Sequence, residues 1–454
     1  MKKLLQGKQI TNFEFDFSGS FFLDTEFIID LQENCFSFSV DPDILLLNYS
    51  VKNFWGWDRI VKKRNTTLFC FDNVGIPFTL YSCTIVPKKF SSVRISEVLI
   101  RWDFMIYGAH IENVQEENSD QLWAIVENDT LSYRNAFGSK KFITANGNQV
   151  ALDWHKNELG EYEGLSVNIR TKEAYSILDL YQYFLRFSEF MCFQAGFFAE
   201  PLELKISHNG GLIDYIVPDP GVHKSSPSTI NPDLILRVEN DDWGTAFDKW
   251  CAMYSSDVPV FTSFFNTLYN KDSFTDTVTS ELVHVLEGYY CSVHSTKAQK
   301  FSPDITKIVI SKCQEAIETE EISQMCAAEN VQLKDIKKSV AGLLGKLHMK
   351  SIMNVIDSII RFSSNTVAIF QYEHEQKKLK KFEDKIYNHR NFLAHLSIRD
   401  TRFIGEENAL AQDKIRLLFR VMVLEDIGLE IDRKHLKTAI DYSNMWYKNH
   451  KMTY

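Results

Sequence analysis

No stretch of this chain is apolar for long enough to span a membrane. Its most apolar segment, Phe184 to Ala199, is broken by Arg186 and Glu189, and a helical span needs about 20 residues. Two lysines open the sequence without an apolar run behind them, so no secretory leader is expected. The 8 cysteines (35, 70, 83, 192, 251, 291, 313 and 326) form no CxxC pair and stand at no zinc-like spacing to histidines. They are expected to be buried free thiols in a reducing, cytoplasmic compartment. GxGxxG, GxxxxGK[ST], HExxH and GxSxG are all missing. Gly342-Leu343-Leu344-Gly345-Lys346 has too few residues between its glycines for a phosphate loop. No fixed-period repeat appears, which argues against a solenoid. These absences leave no cofactor and no metal site to expect.

What is present is a large, aromatic-rich globular chain. Its 454 residues exceed what one hydrophobic core normally serves, so two or three domains are expected. The 44% apolar content, with 34 Phe and 18 Tyr, favours extensive buried cores over disorder. A net charge of −10 argues against nonspecific coating of nucleic acid. That charge is uneven. Residues 1–270 carry 23 Lys+Arg against 35 Asp+Glu, whereas residues 271–454 carry 27 against 25. The C-terminal part is therefore the one better suited to a polyanion.

The N-terminal part reads as strands. Phe13, Phe15 and Phe17 alternate with acids, the period of a half-buried strand. Thr66–Phe71 and Phe78–Cys83 flank a turn and predict a hairpin. Ser139–Thr144 and Gln149–Trp154 flank Ala145-Asn146-Gly147-Asn148, where Asn-Gly tolerates positive φ. A helix is predicted over Lys172–Gly196. Another hairpin follows, from Leu202–Ile206 and Leu212–Ile216 around Ser207–Gly211, where His208 is only a turn residue. Pro218–Asn231 is the candidate linker. After Asp242 the periodicity is helical, with helices predicted from Trp243 to His450, among them Phe370–Ile398. The expected fold is α+β: an N-terminal antiparallel β-rich domain, sandwich- or barrel-like, over residues 1–240. A helical connector over 241–272 and an all-α bundle over 273–454 complete it.

One stretch in the bundle combines residues with a coherent chemistry: Asn388-His389-Arg390-Asn391-Phe392-Leu393-Ala394-His395-Leu396. Phe382, Ile386, His389, Leu393 and Leu396 recur at helical steps. Asn391 and His395, four apart, share a helix face, and Arg390 lies roughly 100° round the axis from Asn391. A histidine near neutrality serves as general acid or base. An arginine stabilises a phosphate and its crowded transition state. An asparagine holds either partner or the substrate. Those parts suffice for an RNA 2′-hydroxyl to attack its neighbouring phosphate. A solvated helix face is the competing reading. Lys377, Lys378, Lys380, Lys381 and Lys385 precede the trio, either as a solvated charged face or as a phosphate-binding approach to RNA. Glu373-His374-Glu375 points in too many directions on a helix to hold a metal.

RNxxxH inside a helix of an all-helical domain resembles the HEPN superfamily of ribonucleases, in the version found in ApeA-type anti-phage proteins of prokaryotes. Glu281-Leu282-Val283-His284-Val285-Leu286-Glu287-Gly288-Tyr289-Tyr290 is similar to that family's opening helix. Thr79-Leu80-Tyr81-Ser82-Cys83 and Tyr107-Gly108-Ala109-His110 resemble segments of the β-rich domain that precedes HEPN in ApeA proteins. The resemblance covers nearly the whole chain and is more specific in its helical half.

The resemblance implies a homodimer, or higher homo-oligomer, whose two motifs face each other across a cleft. Arg390 and His395 would be the catalytic pair and Asn391 a supporting residue, with Glu287 either a helper or a carboxylate satisfied inside the bundle. The implied activity is a metal-independent endoribonuclease leaving 2′,3′-cyclic phosphate ends on tRNA or other host RNA. Growth arrest or death of the infected cell would follow, with the N-terminal domain sensing a phage-derived trigger. Two other readings stay open. In one, the helical domain only dimerises or binds RNA or nucleotide. In the other, the β-domain recognises a protein or glycan through residues such as Trp55 and Trp57, for which core packing is the competing role.

Overall fold

The computed structural model describes residues 76–127, 137–156, 162–196, 201–216, 235–344, 352–371, 376–395 and 403–449, apart from short gaps, and the strand backbones between Ser20 and Phe71. The Phe13–Phe17 segment, Trp55, Trp57, the 218–231 loop and Glu373-His374-Glu375 lie outside the described residues. An antiparallel β region is followed by a helical region, so the fold is α+β. The chain divides into two compact units: Met1–Ala252 with Leu268–Lys271 and Ile427–His435, and Met253–Thr267 with Asp272–Asp426 and Leu436–Tyr454.

Among the described residues the first unit holds fourteen strands: β1 (Ser20–Leu23), β2 (Phe27–Asp30), β3 (Phe36–Asp41), β4 (Ile44–Tyr49), β5 (Thr66–Phe71), β6 (Pro77–Ser91), β7 (Arg94–Arg101), β8 (Phe104–Tyr107), β9 (Asn118–Glu127), β10 (Lys140–Ile143), β11 (Gln149–Lys156), β12 (Tyr162–Ser176), β13 (Pro201–His208) and β14 (Gly211–Ile216). They pair in the order β10-β11-β12-β9-β13-β14-β8-β6-β5-β1-β2. Among the described strands this path is open at β10 and β2 and does not close into a barrel. It branches instead. Up to Cys83, β6 pairs with β5 and β8; from Thr84 onward it pairs with β7, which leads to β4 and β3. Ser82, with φ +54°, marks the crossing. A strand that changes sheets at an irregularity is how sheet corners are made.

Cross-strand rows explain where this core lies. Leu152 faces Val167, Val167 faces Ala124 and Ala124 faces Leu204; Val150, Ile169, Leu122 and Ile206 form the next row. All eight are buried. Helix α1 (Ile177–Ala195) packs on β9 and β12, burying Leu180, Phe184, Phe187 and Met191. The helix predicted from Lys172 therefore starts five residues later. Tyr175 and Ser176 still pair with Ser119 and Asn118, and Lys172 N donates to Asn148 Oδ1 at 3.1 Å, so both ends of Lys172–Ser176 are held extended. Ser176 then caps the helix, its Oγ accepting from Asp179 N at 3.1 Å. Gly196, with φ +82°, ends it. The second hairpin turns on Asn209 (φ +49°) and Gly210 (φ +77°), the two-residue turn that fits strand twist.

The helices are α2 (Trp243–Ser256), α3 (Val258–Tyr269), α4 (Thr275–Val293), α5 (Ser295–Ala298), α6 (Pro303–Ile317), α7 (Glu320–Ala328), α8 (Leu333–Leu344), α9 (Ile352–Ile360), α10 (Ser364–Ile369), α11 (Gln376–His395), α12 (Glu406–Asp426) and α13 (Arg433–Asn449). In the second unit α4 is central, and α9, α11 and α12 all pack against it. Leu282, Val283, Leu286 and Tyr289 of α4 are buried, as are Ile415, Leu418, Phe419 and Met422 of α12. Phe419 brings the core together, its ring 4.5 Å from Phe264 of α3 and 5.3 Å from Tyr289. Asp426 accepts from Tyr289 Oη at 2.7 Å and lies 2.8 Å from His294 Nε2, joining the last turns of α4 and α12. By contrast α6, α7 and α8 bury little: among their described residues only Thr306 and Cys326 are fully enclosed.

The helix predicted over Phe370–Ile398 is described only from Gln376. The short α10 precedes it, with its own start at a Ser363–Thr366 capping box. Residues 396–402 lie outside the description.

Candidate active site

Helix α11 carries the whole RNxxxH stretch, and its apolar period decides which side faces the core. Phe382, Ile386 and His389 are buried, as steps of four and three require. Phe382 packs on Phe370 at 5.2 Å and Phe403 at 5.4 Å. His389 is 0% exposed, and its Nε2 donates to the main-chain carbonyl of Asp276 on α4 at 3.1 Å. Because a carbonyl only accepts, this contact places the proton on Nε2.

Asp276, whose side chain is 38% exposed, opens a chain of polar contacts that runs into the core. Its Oδ1 accepts from Asn408 Nδ2 at 3.3 Å; Thr279 Oγ1 donates to Asn408 Oδ1 at 2.6 Å; Gln412 Nε2 donates to Thr279 Oγ1 at 2.9 Å. Asn408 and Gln412 lie four apart on α12, so one helix face supplies both amides. The network ties α11, α4 and α12 together, since His389, Thr279, Asn408 and Gln412 are buried with their partners in place.

One residue further along α11, Arg390 reaches α4 a little over two turns beyond Thr279. Its Nη2 lies 3.5 Å from Glu287 Oε2, with the two side chains 22% and 23% exposed. The guanidinium is thus held by a carboxylate while still reaching the surface. Cys291, one turn after Glu287, has its thiol pushed up by burial and then by the Glu287 charge.

Asn391 and His395 occupy the last turns of the same helix. Their backbone positions share a face, while their side chains lie outside the described residues. The lysines divide into two groups. Lys377, Lys378, Lys380 and Lys381 are exposed, and Lys380 reaches Glu383 and Asp384 at 3.5 Å each. Lys385 is different: it pairs with Glu407, its side chain is 14% exposed, and its Nζ sits 5.8 Å from the Phe403 ring. It braces α11 against α12 and does not share the exposed lysine face.

Sequence reading treated His389 as a core position and gave Asp276, Thr279, Asn408 and Gln412 no role. The available signal was the Asn408/Gln412 spacing, two amides on one face of a helix that is otherwise apolar there.

Among the described residues no three His, Cys, Asp or Glu side chains gather as metal ligands, and no helix is long and apolar enough to cross a membrane. In comparisons with family models, curated proteins and solved structures, nothing matches the chain.

Proposed function

We propose that this protein is an endoribonuclease of HEPN type, ApeA-like in its arrangement, acting in anti-phage defence by cutting host RNA such as tRNA. The observation that carries the reading is Arg390 held at 3.5 Å by Glu287, on the helix whose next turns bear Asn391 and His395. In this reading His395 removes the proton from a 2′-hydroxyl. The new O2′–P bond forms as the P–O5′ bond breaks, and a proton is returned to O5′. Arg390 neutralises the charge that gathers on the phosphoryl oxygens. Asn391 orients the phosphate or the histidine. A second copy of the helical domain would supply the facing acid or base, and the acidic N-terminal unit would act as sensor or brake. The exposed Lys377, Lys378 and Lys381 would meet flanking phosphates.

The test is sequencing of RNA ends after induced expression, comparing wild type with His395→Ala. New 2′,3′-cyclic phosphate ends in wild type alone, undiminished by EDTA in a purified assay, support the reading. Ends that persist in His395→Ala overturn it.

A second reading has one observation behind it. Arg390 is already engaged by Glu287, as an arginine with a purely structural duty would be, and the helical unit would then only bind RNA or pair with a second copy. Folded, RNA-binding protein that never cleaves would favour it.

A further inference from the structure

Helices α3 and α4 enclose a groove of about 630 Å³ whose lining includes Val260, Val285, Ser263, Ser280, Glu281 and His284. That volume is in the range of small-molecule sites. The groove's walls are mostly apolar, with hydroxyls, the Glu281 carboxylate and the exposed His284 imidazole set among them, a mixed surface that suits a flat heteroaromatic ring. Glu281 and His284 stand three apart on α4 and so share a face. His284 precedes Glu287 by three residues, about 4.5 Å along the axis and roughly 60° round it. Glu287, the partner of Arg390, thus follows His284 of the groove lining by less than one turn of α4.

We propose that this groove is a nucleobase subsite that receives a guanine of single-stranded RNA, with Glu281 accepting from its Watson–Crick edge and His284 stacking on its face. The assignment rests on the nuclease reading above for its place beside the cut. The choice of guanine comes from hydrogen-bond complementarity. A carboxylate presents two acceptors side by side, and guanine alone among the four RNA bases presents two adjacent donors, N1–H and the N2 amino group. Uracil, cytosine and adenine each offer a single donor group on that edge. Splayed RNA bases are read in this way, stacked on aromatic side chains including histidine and hydrogen-bonded on their edges. Burial holds the Glu281 carboxyl above its ordinary range, with His284 beside it pulling the other way. A carboxylate partly withdrawn from water binds a neutral donor pair more strongly than an exposed one does.

The experiment uses the full-length protein carrying Arg390→Ala, so that RNA is bound without being cut. Short single-stranded RNAs differing at one position (guanine, inosine or adenine) are compared by fluorescence anisotropy, with guanosine 3′-monophosphate as the free-nucleotide arm. Guanine should bind at least about tenfold tighter than adenine, with inosine, which lacks the N2 amino group, between them. Glu281→Gln should collapse this ladder to within about twofold. His284→Ala should weaken guanine and adenine alike, because stacking is tolerant of base identity. Unchanged thermal midpoints in both variants show that the fold is intact. Equal binding of guanine and adenine, or a ladder that survives Glu281→Gln, overturns the subsite. So does a free nucleotide that binds as tightly as the RNA, which would make the groove a nucleotide pocket instead. The two readings fail separately: a ladder without cleavage by wild type removes the nuclease and keeps the base site, whereas cleavage without a ladder does the reverse.

Discussion

Arg390 of α11 and Glu287 of α4 meet at 3.5 Å with side chains 22% and 23% exposed, an ion pair at the edge of the helical core. Both side chains are mostly buried, so breaking the pair leaves the Glu287 carboxylate without its partner and costs about 1–3 kcal/mol. A guanidinium aimed at a phosphoryl group contributes far more to a transition state. Arg390→Ala should therefore lower stability in urea denaturation by about 1–3 kcal/mol, leave the protein folded and abolish RNA cleavage. Arg390→Lys keeps the charge, loses the planar fork and should cut at least about tenfold more slowly. Glu287→Gln should lower kcat more than it raises KM, because it loosens the orientation of Arg390 without removing its charge. Cleavage retained in Arg390→Ala would assign the pair to the scaffold.

His389, the residue beside Arg390, should behave differently. It is wholly enclosed and bonded to Asp276. Truncation opens a cavity and removes the bond that ties α11 to the Asp276 carbonyl, so His389→Ala should cost about 2–4 kcal/mol in urea denaturation. Asn408→Leu should cost a similar amount by orphaning Thr279 and Asp276. Variants as stable as wild type would mean that the network does not set the register of α11 on α4.

The contrast between these neighbours shows what could be read from the chain. Short-range signals were legible: Asn209-Gly210 turns where an Asn-Gly pair should, and Phe382, Ile386 and His389 fall on the buried side that their spacing predicts. Signals settled by distant partners were not. Lys172–Ser176 suits a helix locally, and partners far off in sequence hold it extended: Asn148 Oδ1 at Lys172 N, and β9 at Tyr175 and Ser176. Helix α7 buries just Cys326, so it left almost no apolar period to find. His389 and Asp276 are 113 residues apart, and nothing near either one announces the other. For the same reason the sequence offered Glu287 as a helper without linking it to Arg390.

The exposed lysines of α11 give a prediction about salt. Lys377, Lys378 and Lys381 are exposed. If each meets a phosphate, replacing all three with Gln should weaken binding of single-stranded RNA and flatten the log–log salt dependence by about 2 units. Lys385→Gln should instead lower stability, since Lys385 is committed to Glu407. Anisotropy titrations at several salt concentrations separate the two effects. An unchanged salt slope in the triple variant would leave these lysines as a solvated face.

Glu383 offers a test by pH. It lies on the buried side of α11, 4% exposed. Burial first, and then the neighbouring Asp357 carboxylate, push its carboxyl above the ordinary range, while Lys380 pulls it down. A carboxyl whose folded pKa is raised binds its proton more tightly in the folded chain than in the unfolded one. Its contribution is therefore fully present below the ordinary glutamate range and is lost as pH rises through the raised folded value. Glu383→Gln keeps the shape and can still donate toward Asp357, and it removes the titration. The variant gives up the contact with Lys380, a lysine whose side chain is 58% exposed, and such pairs contribute little. Thermal midpoints should show the variant gaining on wild type as pH climbs from about 4 toward neutrality. A variant that parallels wild type at every pH would mean that Asp357 and the surrounding core place no burden on the Glu383 charge.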